Sequence, residues 1–73
     1  MNKQNTIITK REKQIIELLS QGHTAKKVGK ILNRSPRTVD AHTRNLCTKL
    51  NASNTAHAVS ICYEKGILKI GQI

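Results

Sequence analysis

The chain has almost no aromatic side chains: its 73 residues include one tyrosine and neither phenylalanine nor tryptophan. Platforms for single-stranded nucleic acid stack bases on aromatic rings, so the composition counts against that class. The core must instead be built from Ile, Leu and Val. No apolar run approaches the roughly 20 residues of a membrane span, which argues against a membrane protein. The polar N-terminus also predicts that there is no signal peptide.

Cysteine is scarce as well. The two cysteines, Cys47 and Cys62, are too few for a disulfide scaffold, and we interpret them as small buried apolar residues of a cytoplasmic protein. Neither they nor His42 show the spacing of a zinc site, and no glycine-rich phosphate loop is present. Asp40 and His42 point in different directions from a helix, so no catalytic triad forms. We therefore expect no enzyme, no metal and no cofactor.

Acidic residues are the third scarcity: four Asp and Glu face thirteen Lys and Arg, which gives a net charge of +9. Much of the excess is local, because between residues 24 and 50 only Asp40 opposes the basic side chains Lys26, Lys27, Lys30, Arg34, Arg37, Arg44 and Lys49. A solvated surface is the ordinary explanation of such an excess. Because the excess of positive charge is concentrated in one region, it favours a nucleic-acid partner over a membrane surface.

The pattern of caps and apolar residues predicts an all-α fold of four helices. They cover roughly residues 10–21, 25–32, 36–50 and 55–65, with caps at Thr9, Thr24, Ser35 and either Ser53 or Asn54. The short second helix, tight turn and third helix predict a helix-turn-helix, whereas any small basic bundle is the alternative. We expect a flexible arm over residues 1–8 and one helix-turn-helix domain over residues 9–73.

The third helix has two contrasting faces. Val39 and Leu46 gather on one side, whereas Arg37, Ala41 and Arg44 gather on the other. The second set can read bases in a DNA major groove, because arginine holds guanine with two hydrogen bonds and alanine contacts a thymine methyl. Asp40, at the edge of that face, either accepts from a cytosine amino group or serves as an acidic residue near a helix N-terminus. The predicted base-contacting residues are Arg37, Asp40, Ala41 and Arg44.

A second set of side chains suits the sugar-phosphate backbone, which positions a protein without specifying a sequence. Each member taken alone is equally well an ordinary exposed residue. The predicted phosphate contacts are Thr24, Lys26, Lys27, Lys30, Ser35, Thr38, Asn45, Thr48 and Lys49.

Small residues form a stripe on the fourth helix. Such a stripe indicates either a tight core contact or a seam between two copies of the chain. Because a domain of this size has little core, we favour partial use as a homodimer interface formed by Thr55, Ala58, Val59 and Cys62.

These motifs resemble the LuxR-type helix-turn-helix domain of GerE-, NarL- and FixJ-like regulators. The resemblance runs from Ile8 to Leu68 without a gap. It rests on Thr9-x-Arg11-Glu12, Ile15-Ile16-x-Leu18-Leu19, Gly22-x-Thr24, Lys26-x-Val28-Gly29-x-x-Leu32, Ser35-Pro36-Arg37-Thr38-Val39-x-x-His42, Lys49-Leu50, Ala58-Val59 and Gly66-Ile67-Leu68.

The resemblance implies a four-helix domain of a transcription regulator, with the third helix in the major groove. It also implies that the fourth helix joins two subunits on inverted half-sites. In relatives the positions of Asp40, Ala41 and Arg44 face bases, and that of Arg37 faces DNA near the helix start.

Three residues depart from the family pattern. Asp40 occupies a position where many relatives carry lysine, which alters the expected base preference or lowers affinity. Thr55 replaces the usual arginine, which removes a contact either to the DNA backbone or within the domain. Arg34 replaces a usually aliphatic residue before Ser35, and it either loosens the turn or adds a phosphate contact.

We interpret the chain as a sequence-specific, dimeric regulator that binds double-stranded DNA. It begins at Met1 without a receiver or signal-binding domain, so we expect a stand-alone protein, although a fragment of a longer regulator is the alternative. Two other functions remain open: a protein-interaction module that docks on RNA polymerase, and the DNA-binding piece of a recombinase-type protein.

Overall fold

The computed structural model describes residues 8–69, which form four helices and no strand within that range. The helices are α1 (Lys10–Ser20), α2 (Ala25–Leu32), α3 (Pro36–Leu50) and α4 (Thr55–Glu64). The all-α prediction is confirmed, and each predicted boundary lies within one residue of the observed one. The predicted arm over residues 1–8 lies outside the described residues except for its last position.

A polar side chain caps the start of every helix. At α1, Thr9 and Glu12 form a capping box: the Glu12 N–H donates to Thr9 Oγ1 at 3.1 Å, and the Thr9 N–H donates to Glu12 Oε1 at 3.0 Å. Thr24 caps α2 and Ser35 caps α3 as predicted. Of the two candidates for α4, it is Asn54 whose Oδ1 accepts, from the His57 N–H at 2.9 Å. The local sequence therefore defines where each helix begins.

The turn between α2 and α3 is short and tightly bonded. Asn33 adopts the left-handed conformation at φ 59°, and the Arg34 N–H donates to the Gly29 carbonyl at 2.7 Å. A Cβ on Gly29 would overlap the Arg34 carbonyl oxygen. The absence of a side chain at Gly29 therefore lets the chain's own turn pass close to α2.

The core has two clusters, and α3 contributes to both. Near the start of α3, Val39 packs with Ile15 and Val28; near its end, Leu46 and Leu50 pack in a cluster completed by Ile16, Ala58, Cys62 and Leu68. Fully burying one such aliphatic side chain contributes roughly 1.5–3 kcal/mol. These contacts fix the rotation of α3 about its axis.

One large apolar residue of α2 is not part of the core. Ile31 is 47% exposed, whereas Val28 on the same helix is fully buried. Ile31 lies 60° around the helix from Val28 by the 100° rotation per residue, which carries its side chain past the edge of the contact with α1 and α3.

A partly buried ion pair joins α1 to the end of α3. Lys49 Nζ lies 2.8 Å from Glu12 Oε1, and Glu12 is only 4% exposed. Burial by itself raises the pKa of Glu12, but hydrogen bonds from Lys49 and the Thr9 backbone and the Lys49 charge together outweigh it and lower the pKa. The capping glutamate of α1 is therefore also a tertiary contact.

Candidate nucleic-acid interface

The outward face of α3 carries the four residues predicted to contact bases. Arg37, Asp40, Ala41 and Arg44 are all exposed, on the side away from the buried Val39 and the rest of the core. At 1.5 Å rise per residue the stripe from Arg37 to Arg44 is roughly 10 Å long, a span of about three base pairs of duplex DNA. The structure thus brings these four side chains together on one accessible face.

The adjoining surface of α2 is strongly basic. Lys26, Lys27 and Lys30 are exposed, and within residues 8–69 no carboxylate lies within ion-pairing distance of any of them. Their charges are therefore uncompensated over the part of the chain that the structure describes. Such a patch attracts a polyanion and orients it.

Hydroxyl groups mark the starts of the same two helices. Thr24 and Ser35 are exposed, and each side-chain oxygen accepts a backbone N–H of its own helix, Lys27 N–H at 3.1 Å and Thr38 N–H at 3.2 Å. Ser35 Oγ and Thr38 Oγ1 are 3.0 Å apart, so one of their two protons bridges them and the other remains to be donated outward. Both helix starts can therefore donate hydrogen bonds to an oxyanion.

The second half of α3 carries three of the predicted phosphate-contacting residues, and their side chains differ in the contacts they make within the protein. Asn45 is exposed as expected. Thr48 is also exposed, but its hydroxyl donates to the Arg44 carbonyl at 3.1 Å, so that proton is used within the helix. The ammonium of Lys49 is turned toward Glu12. Because this side chain also serves the contact between α1 and α3, its phosphate contact stays a prediction.

The predicted interface on α4 is corrected in two of its four residues. Ala58 and Cys62 are fully buried against Ile16 and Leu46 of their own chain, so neither forms an exposed seam. Thr55 and Val59 are partly exposed and remain accessible. The stripe of small residues served the core instead, because only short side chains let α4 pack closely against α3.

Neither cysteine is placed for chemistry at this surface. Burial raises the pKa of both Cys47 and Cys62, which disfavours the reactive thiolate. Among residues 8–69, no three His, Cys, Asp or Glu side chains are grouped as a metal ion would require. Over the same range, none of the helices has both the length and the apolar character to cross a membrane.

Arg34, for which the sequence left open either a loosened turn or a phosphate contact, also belongs to this surface. It is exposed in the turn between α2 and α3, beside Lys30 and Ser35. The turn is not loosened, since Asn33 and the Arg34 N–H hold it closed. The only sequence signal at this position was an arginine where similar domains carry an aliphatic residue.

A tight helix-turn-helix, in which one face of α3 is buried in the core and the opposite face carries exposed arginines, is typical of the helix-turn-helix DNA-binding domains. Residues 6–62 match the family described as bacterial regulatory proteins, luxR family. The chain belongs to that family. It is a DNA-binding domain of the transcription-regulator type and not an enzyme.

Relatives carry the same domain within longer chains. The transcriptional activator protein SolR of Ralstonia solanacearum is 36% identical over 64 residues, which cover 88% of this chain and 27% of SolR. The transcriptional activator protein LuxR of Aliivibrio fischeri is 40% identical over 58 residues, 80% of this chain and 23% of LuxR. The transcriptional regulatory protein UhpA of Escherichia coli is 47% identical over 47 residues, 64% of this chain and 24% of UhpA. The chain thus spans about a quarter of the length of the curated relatives it matches.

Proposed function

We propose that the chain binds duplex DNA sequence-specifically, with α3 in the major groove. The observation that carries this proposal is the anchored rotation of α3: Val39, Leu46 and Leu50 are buried behind it, while the two arginines of α3 are exposed in front. A major groove about 12 Å wide admits one helix, and its base edges carry a donor and acceptor pattern that such side chains distinguish. Because such a regulator binds chromosomal DNA, the proposal includes a cytoplasmic location.

Each exposed residue of α3 has a distinct role in this proposal. Arg44 holds a guanine through O6 and N7, Ala41 contacts a thymine methyl, and Asp40 accepts from a cytosine amino group. Arg37 lies near the start of the helix, where it contacts DNA at the edge of the reading face. Asp40 brings negative charge to the duplex, so it disfavours every base that offers no donor there.

The backbone contacts come from residues around this face. The basic patch of α2 neutralises phosphates, and the capping hydroxyls and the amide of α3 donate hydrogen bonds to them. The proposed phosphate-contacting set is Thr24, Lys26, Lys27, Lys30, Ser35, Thr38 and Asn45. Thr48 and Lys49 contribute less, because the Thr48 hydroxyl donates to the Arg44 carbonyl and the Lys49 ammonium is directed at Glu12.

The proposed complex is a homodimer on inverted half-sites, with α4 between the subunits. Two copies with a charge of +9 each repel one another, so contact is least costly where neither copy carries charge. Residues 50–63 contain no Lys, Arg, Asp or Glu, and this stretch includes all of α4 except its last residue, Glu64. Thr55 and Val59 offer the partly exposed surface for that contact.

Selection from a random duplex library, followed by anisotropy titration, tests the reading role of α3. Arg44→Ala is expected to weaken binding to the selected site by roughly 1–3 kcal/mol and to relax preference at one base pair. Lys26→Ala is expected to weaken selected and random duplexes alike. Lys13→Ala, an exposed lysine of α1, is the matched control.

Two results would contradict the proposal. If selection enriches no sequence, α3 is not a reading helix. If the protein binds no duplex at low salt but is retained by RNA polymerase, the exposed face serves a protein partner instead.

A further inference from the structure

A shallow depression lies where α2 meets the start of α3. Its volume is about 460 Å³, and it is bordered by Lys26 and Lys30 of α2 and by residues 33–36 of the turn. We call this depression the turn pocket. Three of its bordering side chains, Lys26, Lys30 and Arg34, are cations, and no anionic side chain borders it.

The backbone of the turn determines the shape of the turn pocket. Gly29 is one of its lining residues, and the Arg34 main chain lies so close to Gly29 that no Cβ fits between them. The Arg34 guanidinium Nη1 donates to the Asn33 carbonyl at 3.1 Å, which holds the side chain against its own turn. One N–H of five is used in this way, so the guanidinium is positioned while most of its donors remain available.

The electrostatics of the turn pocket specify the chemistry of its occupant. Within residues 8–69, neither the two lysines nor Arg34 has a carboxylate within ion-pairing distance. Ser35 adds a hydroxyl at the N-terminus of α3, where helix N–H groups also favour negative charge. Three cations and a hydroxyl around one concave surface match a group with several acceptor oxygens and at least one negative charge, which is a phosphate.

We propose that the turn pocket seats one backbone phosphate of duplex DNA, with Arg34 closing it opposite Lys26 and Lys30. This inference rests on the proposed DNA-binding function and adds to it a residue and a single shared site. The pocket adjoins the exposed start of α3, so a phosphate seated there sets how far α3 enters the groove. The occupant is sequence-independent, because a phosphodiester is the same beside every base.

The first test is the salt dependence of binding. Arg34→Ala is expected to weaken selected and random duplexes by a similar factor, roughly tenfold at low salt. Replacing Lys26, Lys30 and Arg34 together with alanine should reduce the slope of log affinity against log salt by only about 0.9, the value for one shared phosphate, rather than the roughly 2.7 of three separate phosphates. Lys13→Ala should leave that slope unchanged. Because the turn is held by main-chain bonds of Arg34, the variant should melt like the wild type by circular dichroism.

The second test locates the phosphate. Single methylphosphonate linkages, which lack the negative charge, are placed in turn along each strand of the selected duplex. At one linkage the wild type should lose affinity, and there the loss from the methylphosphonate and the loss from Arg34→Ala should sum to more than the double change costs. Lys30→Ala should show the same non-additivity at the same linkage. At every other linkage, the loss of binding free energy caused by the substitution and the loss caused by the methylphosphonate should add.

Failure of this inference is separable from failure of the proposed function. If the wild type binds a selected duplex but the variant with alanine at Lys26, Lys30 and Arg34 keeps its full salt slope, the turn pocket holds no DNA phosphate. If Arg34 and Lys30 couple to two different linkages, there is no single shared site. If the wild type binds no duplex at any salt concentration, the DNA-binding proposal itself falls.

Discussion

The ion pair between Glu12 and Lys49 offers the sharpest test of how this domain is held together. Lys49→Met removes the ammonium but keeps the length of the aliphatic side chain. Glu12 then remains buried at 4% exposure, with the Thr9 N–H still donating to Oε1 at 3.0 Å. The variant therefore leaves a buried carboxylate without the cation 2.8 Å away that balances its charge.

The expected loss in free energy of unfolding lies between the values for fully buried and for surface ion pairs. Removing one partner of a fully buried pair costs about 3–5 kcal/mol, whereas an exposed pair contributes about 0–1 kcal/mol. The Lys49 side chain is 31% exposed, so water already screens part of the attraction. We expect Lys49→Met to lower the free energy of unfolding by about 2 kcal/mol. A domain of this size has about 4–11 kcal/mol in total, so the loss is large.

A second substitution should reverse much of that loss. Glu12→Gln removes the charge but keeps an oxygen that accepts the Thr9 N–H, so the capping box survives. The double variant Glu12→Gln with Lys49→Met should be more stable than Lys49→Met alone, because no uncompensated charge remains buried. This ordering distinguishes an ion pair from simple loss of side-chain packing.

The effect also has a defined pH dependence. The pKa of Glu12 is lowered in the folded state, so its stabilising contribution is complete above the unfolded pKa of about 4.3 and is lost as pH falls through the lower folded pKa. Without Lys49 the carboxylate gains less from ionisation and is protonated at higher pH. The stability difference between wild type and Lys49→Met should therefore be full near about pH 7 and shrink below about pH 4.

Urea unfolding followed by far-ultraviolet circular dichroism measures these differences. Lys13→Met, at an exposed position of α1, is the control for replacing a lysine by methionine. A stabilising role for the ion pair is refuted if Lys49→Met is no less stable than this control. It is also refuted if Glu12→Gln fails to raise the stability of the Lys49→Met variant.

Two further substitutions test the turn and the proposed dimer. Gly29→Ala should destabilise the domain by about 1–2 kcal/mol although alanine favours helix, because its Cβ overlaps the Arg34 carbonyl oxygen. Thermal melting measures this loss, with Lys27→Ala on the same helix as the control. A melting temperature that is unchanged or raised in Gly29→Ala contradicts the prediction. Val59→Glu should reduce cooperative binding to a paired site while single half-site binding persists, because it places a charge on the uncharged face of α4. Gln14→Glu, at an exposed position of α1, is the control for the added charge. One protein per duplex in sedimentation at saturation would refute the dimer. A charge at Ala58 or Cys62 cannot serve this purpose, since both side chains are fully buried and the fold itself would fail.

The start of α3 shows how much of the candidate site could be predicted. Ser35 and Pro36 mark the first turn, and the spacing of Val39, Leu46 and Leu50 then determines which face is buried. The opposite face follows by rotation alone, so the exposure of Arg37 and Arg44 was predictable. The contacts that these arginines make with DNA stay a prediction.

The end of α3 and the surface of α4 were harder, for a physical reason. Lys49 lies beside the core face of α3, and its partner Glu12 is 37 residues away along the chain, a separation at which no helical period operates. Ala58 and Cys62 are small, and small side chains suit a tight core contact and a surface seam equally well. Only the packing of α4 against α3 distinguishes the two.

The sequence by itself determined the four helices, their caps and the outward stripe of α3, because hydrogen bonding at helix ends and rotation within a helix are local. It also determined the excess of positive charge, which depends on composition alone. The tertiary structure decided that Glu12 pairs with Lys49, that Ala58 and Cys62 belong to the core, and that Lys26, Lys30 and Arg34 border one depression. Each of these depends on the relative placement of separate elements, which packing of the whole chain sets.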